Sequence, residues 1–505
     1  MSIQNESIFL QLQNGSDVRG SAIETQDEKK NLTADIVSVI AFSFSEWLSR
    51  KTGKKREELK IGVGHDSRVT AEELKHGVLE GLSFSGAYDC GLVSTPAMFL
   101  STVLAESNFD GSVMITASHL PFNRNGLKFF TKEGGLEKNE ITEILKAAAA
   151  CDDSVIKSVR ERNSEPGTFD LVSAYSAHLA DIIRREVNAE DFEHPLKGLH
   201  IVEDAGNGAA GFFASRILEA LGADTAGSVF LDPDGSFPNH IPNPENPAAM
   251  EAVRKAVLDS GADLGVIFDC DGDRGAVVFS DGTEVNRNAL IALMASILSE
   301  KYPGSTVVTD SVTSDELTVF LENELHMKHL RFKRGYKNVI DKGIELNREG
   351  TDCELAIETS GHGALKENYF SDDGAYMCVK IICKMARMRK EGGKIEDLIA
   401  GLKAPAESKE IRYHISGDDF KTYAADVLEN FRQFALEDER FRIVTPNYEG
   451  IRISFDDSEV KGWLLLRMSL HDPVMPVNIE ADRTGGTGVI LDRIRPFIEK
   501  CSRLS

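Results

Sequence analysis

Positive charge is scarce in this chain: 57 lysines and arginines stand against 81 aspartates and glutamates, a formal net charge of −24. Such a chain is repelled by a polyphosphate backbone, which argues against a nucleic acid partner. Any anionic ligand must instead be met by a few cations gathered locally against an unfavourable overall field. Paired cysteines are lacking too. The seven, Cys90, Cys151, Cys270, Cys353, Cys378, Cys383 and Cys501, are odd in number and scattered, without a Cys-x-x-Cys. That pattern fits a reducing compartment and excludes a disulfide framework or a zinc site. No stretch approaches the ~18 apolar residues of a membrane span. The segment from Met1 to Gly15 lacks a basic start followed by an apolar run. The expectation is a cytoplasmic protein without a membrane partner; oligomeric state is not legible.

What is present suffices for several cores. The 505 residues, at ~100–200 per domain, suggest three to four domains. One pattern occurs three times: an apolar strand ending near an Asp, a small-residue turn and an amphipathic helix. The first copy runs from Lys60 to Asp66, with Leu74, Val78 and Leu82 on one helical face and Thr70 with Glu73 as a capping box. The second runs from Leu199 to Asp204, followed by Phe213, Ile217 and Leu221. The third runs from Thr306 to Asp310, with Thr313 and Glu316 as a capping box and Leu317, Leu321 and Leu325 on one face. Each reads as a strand feeding a crossover helix, and their wide spacing favours repeated α/β domains over a solenoid. The tail, from Glu410 to Ser505, differs. Ile451 to Phe455 and Gly462 to Arg467 read as neighbouring strands and Val489 to Cys501 as a closing helix, which predicts a compact α+β domain with an antiparallel sheet.

Four segments carry chemistry. In the first, a buried strand from Val113 to Thr116 leads to Ser118 and His119, and Asn125-Gly126 reads as a tight turn into a second strand. A serine just past a strand end is exposed and positioned, and His119 and Lys128 could flank it as proton carriers or phosphate-binding cations. An ordinary hairpin with a surface serine fits the local pattern equally well. In the second, an apolar strand delivers Asp269, Asp271 and Asp273 at alternating positions into a loop with Gly272, followed by Arg274. Three clustered carboxylates repel unless a hard cation sits among them, and magnesium is the expected ion. An EF-hand loop is excluded, because its sixth position would be Arg274 and its twelfth Ser280. The rival is an aspartyl-phosphate phosphatase, whose nucleophile also sits in a strand-end Asp-x-Asp-Gly; its usual Thr is Asp273 here. The third segment presents Glu358 and Ser360, two residues apart, as partners for vicinal sugar hydroxyls, or as a solvated Glu beside a capping Ser. In the fourth, Arg467, Ser469 and His471 alternate after an apolar strand and could clasp a phosphate, or form a loop with one exposed Arg. Arg483-Thr-Gly-Gly-Thr-Gly488 looks like a phosphate loop but lacks the Lys-Ser/Thr ending, and reads as a linker to the last helix.

In this order (serine, metal, sugar and phosphate loops) the segments resemble the α-D-phosphohexomutase superfamily. Ser16 to Gly20, Val63 to Arg68, Gly91 to Pro96 and Phe237 to Pro244 are similar to further motifs of that family, so the resemblance spans about Ser16 to Ala481. It implies three similar α/β domains with mixed sheets plus a smaller C-terminal α+β domain, arranged around a central cleft, with boundaries at 1–165, 166–285, 286–404 and 405–505. It implies a phosphoserine at Ser118, with Asp269, Asp271 and Asp273 holding Mg²⁺ together with the seryl phosphate. Arg19 and Arg274 would lie near the transferring phosphoryl group, Lys128 and His362 would act as general base and acid, and Glu358 and Ser360 would bind sugar hydroxyls. Lys333 and Tyr336 fall where the family has a substrate-contacting loop, and Arg467, Ser469 and His471 would hold the distal phosphate. The implied activity interconverts hexose 1-phosphate and hexose 6-phosphate, with hexose 1,6-bisphosphate as intermediate and activator. Phosphoglucosamine mutase is the alternative within the family, and a phosphatase or a silent sugar-phosphate sensor outside it. Two departures stand out. The family's phosphate loop usually reads Arg-Pro-Ser-Gly-Thr-Glu-Pro, whereas here Leu470 and His471 replace Gly and Thr; Leu120-Pro121 replaces the common Asn-Pro after the catalytic Ser-His. Leu470 removes conformational freedom and a close backbone approach.

Overall fold

The computed structural model describes residues 6–162, 164–417, 419–469 and 472–505. The chain divides into two compact units: Met1–Asn286 with Ser360–Ile395, and Arg287–Thr359 with Glu396–Ser505.

The first unit holds two mixed sheets. In one, Lys60–His65 runs parallel to Gly86–Leu92 on one side and Gly111–Ile115 on the other. Arg124–Thr131 and then Asp17–Ser21 extend this sheet antiparallel. The helices Ala34–Thr52 and Ala71–Gly81 bury Val37, Ile40, Phe44, Leu74 and Val78 against it. Thr33 starts the long helix by accepting the amide of Ile36 at 3.4 Å. In the other sheet, Ile201–Asp204 is parallel to Leu264–Phe268, which pairs antiparallel with Gly275–Phe279. The helix Pro247–Ser260 makes the crossover between the parallel pair and packs Val253 and Val257 into the core.

In the second unit, Thr306–Thr309 lies between Lys328–Arg331 and Cys353–Ile357, parallel to both. The tail forms a separate antiparallel sheet in the order Glu407–His414, Val474–Ala481, Lys461–Leu466, Ile451–Asp456, Arg442–Ile443. The helices Phe420–Leu436 and Gly486–Ile498 bury Phe431, Ile490 and Ile494 on it. The three repeat strands thus sit in three separate α/β sheets, with a smaller antiparallel domain after them. Among the described residues no helix is long and apolar enough to cross a membrane.

The helix starts of the repeat differ from expectation. Thr70 precedes its helix without capping it, because its hydroxyl accepts from Asn125 at 2.9 Å; Glu73 pairs with Lys30 instead. The third-copy helix starts one residue later than the capping box implied. Ser314, not Thr313, accepts the amide of Glu316, and the Thr313 hydroxyl accepts from Arg331 Nε. The second-copy helix is a single wide turn, Ala214–Leu218, followed by a tight one, yet Phe213, Ile217 and Leu221 are all buried.

Candidate active site

The serine loop begins where the buried strand Gly111–Ile115 ends. Ser118 has a positive φ of 51°, in the left-handed region that side chains with a Cβ avoid at a cost of about 1–2 kcal/mol. Its amide donates to Thr116 Oγ1 at 2.8 Å, and its carbonyl accepts from Arg68, which together hold the strained residue in place. Asn125-Gly126 is not a turn: both belong to the strand Arg124–Thr131, and the reversal lies earlier, where Arg124 donates to the carbonyl of Pro121. Glycine is required at 126 by close approach, since a Cβ there would stand 2.3 Å from the carbonyl oxygen of Val18.

Arg68 organises the loop. Its buried guanidinium donates to the carbonyls of Ser118, Leu120, Pro121 and Arg124. Asp66 holds it from below, accepting the Arg68 amide at 3.0 Å, the Thr116 hydroxyl at 2.6 Å and the Cys270 thiol at 3.4 Å. The last contact ties the serine loop to the metal loop. Arg68→Met strands these carbonyls and the Asp66 charge, so it should cost about 3–5 kcal/mol of stability. It should also lower kcat on the order of 10²-fold through misplacement of Ser118. Denaturant melts and steady-state kinetics check both.

The metal loop follows the fully buried strand Leu264–Phe268. Gly272, at φ +73°, turns the chain so that Asp269, Asp271 and Asp273 converge, each offering an oxygen within 4.8 Å of the others. All three are buried, and Oδ1 of Asp271 and of Asp273 has no hydrogen-bond partner among the described residues. Burial, then repulsion from Asp273 and Asp271, pushes the Asp269 carboxyl well above its ordinary value. Burial acts upward on Asp273 too, but Lys128, His362 and Arg274 outweigh it and hold that carboxyl well below the usual range. Orphaned buried carboxylate oxygens in an all-oxygen set fit a hard divalent cation. Thr95 orients the set by donating to Asp271 Oδ2 at 2.6 Å.

The Ser118 hydroxyl meets this cluster directly. Ser118 Oγ donates to Asp269 Oδ2 at 3.0 Å and accepts from Arg274 at 3.0 Å. Arg274 is fixed by Asp269 at 3.2 Å and by Asn243 Oδ1 at 3.2 Å, and it also donates to His119. Burial and the Arg274 charge lower the His119 imidazole to about 2, so in this arrangement it is a neutral acceptor and not a cation. Lys128 Nζ lies 2.7 Å from Asp273 and 3.7 Å from Asp271. His362 Nδ1 lies 2.6 Å from Asp372 and 3.7 Å from Asp273. Burial lowers the imidazole, but Asp372 and Asp273 outweigh it and raise it to about 9. Arg19 sits under the serine loop, donating to the carbonyl of Thr116 and paired with Asp17 at 2.8 Å. Ser360 is buried at the start of the segment carrying His362.

The remaining candidates belong to the second unit. Glu358 is buried and accepts the amide of Gly335 at 2.6 Å, next to Tyr336 at the start of its helix; Lys333 is exposed. Arg467 is only 6% exposed, and its Nε has no hydrogen-bond partner among the described residues. A buried guanidinium with a spare donor can meet an anion, although several other arginines of the chain share that feature. The hydroxyl of Ser469 accepts the amide of Asp472. His471 lies outside the described residues.

Sequence reading gave no role to the residues that hold these groups: Asp66, Arg68, Thr95 and Asn243, each within a segment it had singled out, and Asp372, which lay in none. A local signal existed for some. His-Asp-Ser-Arg ends the first repeat strand, and Asp372-Asp373 precedes a helix that Asp373 caps.

Three family profiles, described as phosphoglucomutase/phosphomannomutase alpha/beta/alpha domains I, II and III, match residues 10–154, 173–282 and 286–404. A phosphomannomutase/phosphoglucomutase of Pseudomonas syringae pv. tomato is 30% identical over 456 residues, 89% of either chain. A phosphoglucosamine mutase of Nautilia profundicola is 30% identical over 388 residues, 75% of this chain and 80% of its own. The crystal structure of a phosphoglucomutase/phosphomannomutase family protein from Burkholderia thailandensis superimposes with a TM-score of 0.76 at 26% identity, covering 99% of this chain and 98% of that one. With three domain profiles in order and a relative matched nearly end to end, the chain belongs to the phosphoglucomutase/phosphomannomutase family of the α-D-phosphohexomutase superfamily.

Proposed function

We propose that this chain is a magnesium-dependent phosphohexomutase that interconverts hexose 1-phosphate and hexose 6-phosphate, with Ser118 as the phosphoryl carrier. The observation that carries the reading is the strained, buried Ser118, whose Oγ is held between Asp269 and Arg274 at 3.0 Å beside the Oδ1 atoms of Asp271 and Asp273, which lack a hydrogen-bond partner among the described residues.

Asp269, Asp271 and Asp273 would hold the magnesium ion. When bound, it supplies charge neutralisation at the seryl phosphate and at the developing charge on Oγ. Arg274 adds a fixed cation at the same oxygen. In the forward half, a sugar hydroxyl attacks the phosphorus of phosphorylated Ser118, the new O–P bond forms, and the Oγ–P bond breaks. Lys128 would take the hydroxyl proton as general base and His362, kept protonated by Asp372 and Asp273, would act as general acid, both being positioned by carboxylates of this unit. The hexose 1,6-bisphosphate then presents its other phosphate to Ser118 Oγ, and the proton returns to the departing sugar oxygen. Added hexose 1,6-bisphosphate would activate the enzyme by phosphorylating idle Ser118. Arg19 holds the Thr116 carbonyl and so the loop geometry. Among second-unit residues, Arg467 and Ser469 offer a phosphate site, and Glu358, Lys333 and Tyr336 offer sugar contacts.

Turnover is tested with Mg²⁺ and a trace of glucose 1,6-bisphosphate on the 1-phosphates of glucose, mannose and glucosamine. The expected outcome is conversion to the 6-phosphate without net phosphate release, fastest for glucose or mannose. Preference for the glucosamine ester would make the chain a phosphoglucosamine mutase, and stoichiometric phosphate release would refute the mutase.

A further inference from the structure

The anion site at Arg467 contains a carboxylate that a phosphate site does not need. The antiparallel register pairs Ile451 with Leu466, which brings Gly450 opposite Arg467. The approach is close: a Cβ on Gly450 would stand 2.9 Å from both Cα and Cβ of Arg467. Glu449, the preceding residue, is thereby delivered to the edge of the Arg467 pocket. Its Oε2 accepts from the Ser311 hydroxyl and from the backbone amide of Arg334 at 3.2 Å. A hydroxyl, a backbone N–H and two nearby guanidinium groups are the usual furniture of a phosphate site. Here a side-chain carboxylate occupies part of it. Burial pushes the Arg467 guanidinium down, and Glu449 is the largest charge opposing that, while Arg334 acts in the same direction as burial. Glu449 thus acts on the Arg467 charge while, among the described residues, it forms no close ion pair with it, and the Arg467 Nε stays unpaired.

We propose that Glu449 is a built-in competing anion: it holds the Ser311 and Arg334 donors in the unliganded protein and weakens the hold of the second unit on a ligand phosphate. The inference rests on the phosphohexomutase reading, in which Arg467 binds the phosphate that is not reacting. Its functional sense follows from the reaction. The bisphosphate intermediate must release its distal phosphate before presenting it to Ser118, so too tight a hold would trap the intermediate. A carboxylate that reclaims the donors speeds that release.

Glu449→Gln separates charge from scaffolding, because the amide oxygen can still accept from Ser311 and from the Arg334 amide. Inorganic phosphate binding is measured by calorimetry on wild type, Glu449→Gln and Arg467→Gln, alongside kcat and KM for glucose 1-phosphate. Glu449→Gln is expected to tighten the phosphate binding that depends on Arg467 by about five- to tenfold, an effect that shrinks as salt rises. KM should fall in parallel, and kcat should fall several-fold through slower release. Unchanged or weaker phosphate binding by Glu449→Gln would overturn the proposal and leave Glu449 a scaffold for its two donors. Arg467→Gln tests the underlying reading separately. If it binds phosphate as wild type does, the anion-site assignment itself fails, whatever Glu449→Gln does.

Discussion

Ser118→Ala is expected to abolish the phosphoenzyme and lower mutase turnover by at least ~10⁴-fold, because it removes the hydroxyl that bridges Asp269 and Arg274 and would carry the phosphoryl group. Intact-mass measurement after incubation with glucose 1,6-bisphosphate checks the first part, and coupled turnover the second. The fold should hardly notice. Alanine carries the same Cβ into the left-handed backbone at 118, so the strain is unchanged, and Arg274 Nε remains 3.2 Å from Asp269 Oδ2. Ser118→Gly is equally inactive but should be about 1 kcal/mol more stable than Ser118→Ala, because glycine adopts positive φ without penalty. That difference, read from denaturant melts, measures the strain stored at position 118. Phosphate release surviving in Ser118→Ala would shift the assignment to an aspartyl-phosphate phosphatase acting through Asp269.

The second large effect lies in the metal loop and has opposite signs for activity and stability. Asp271→Asn keeps the acceptor for Thr95 but removes one of three buried negative charges. Turnover should fall on the order of 10³-fold, as expected when a group stabilising the transferred charge is lost. Without divalent cation, however, the variant should be more stable than wild type by about 1–2 kcal/mol, because repulsion with Asp269 and Asp273 is relieved. Lys128 does not lose its main partner, since Asp273 remains 2.7 Å away. Wild type should regain about 2.7 kcal/mol at a Mg²⁺ concentration 100 times its Kd. The variant should gain much less. Denaturant unfolding with EDTA and with Mg²⁺ reads all four states. A metal-free variant less stable than wild type would show that repulsion does not dominate this cluster.

Much of the site was legible because its parts are local. Three aspartates at every second position after an apolar strand declare a carboxylate cluster within a few residues, and a serine after a buried strand declares a positioned hydroxyl. The misreadings arose where a short pattern met a distant partner. Asn125-Gly126 has the composition of a hairpin turn, but the backbone of Val18 packs against Gly126, and the pair stays in the strand. Thr70 and Glu73 have capping-box spacing, but Asn125, 55 residues away, takes the Thr70 hydroxyl. His119 reads as a proton carrier or phosphate-binding cation beside Ser118, yet burial, then the charge of Arg274 155 residues on, lowers its imidazole. Asn243 lies in the Phe237 to Pro244 segment and Asp372 beside the helix cap Asp373, yet the role of each emerges only through the side chain it holds.

By itself the sequence determined the succession of strands and helices, the three α/β repeats with an antiparallel tail, and the ordered loops that carry the family resemblance. These follow from periodicities of about two and 3.6 residues and from loop residues adjacent in the chain, so each is written within one short window. Tertiary structure alone decided which groups share a charge or a proton. Ser118 meets Asp269 across 151 residues, Lys128 meets Asp273 across 145, and Arg68 reaches four carbonyls some 50 residues ahead. The physical reason is that the strength of a buried charge or hydrogen bond depends on what water has been removed and which partner replaces it. Both are properties of the packed chain and of no segment within it.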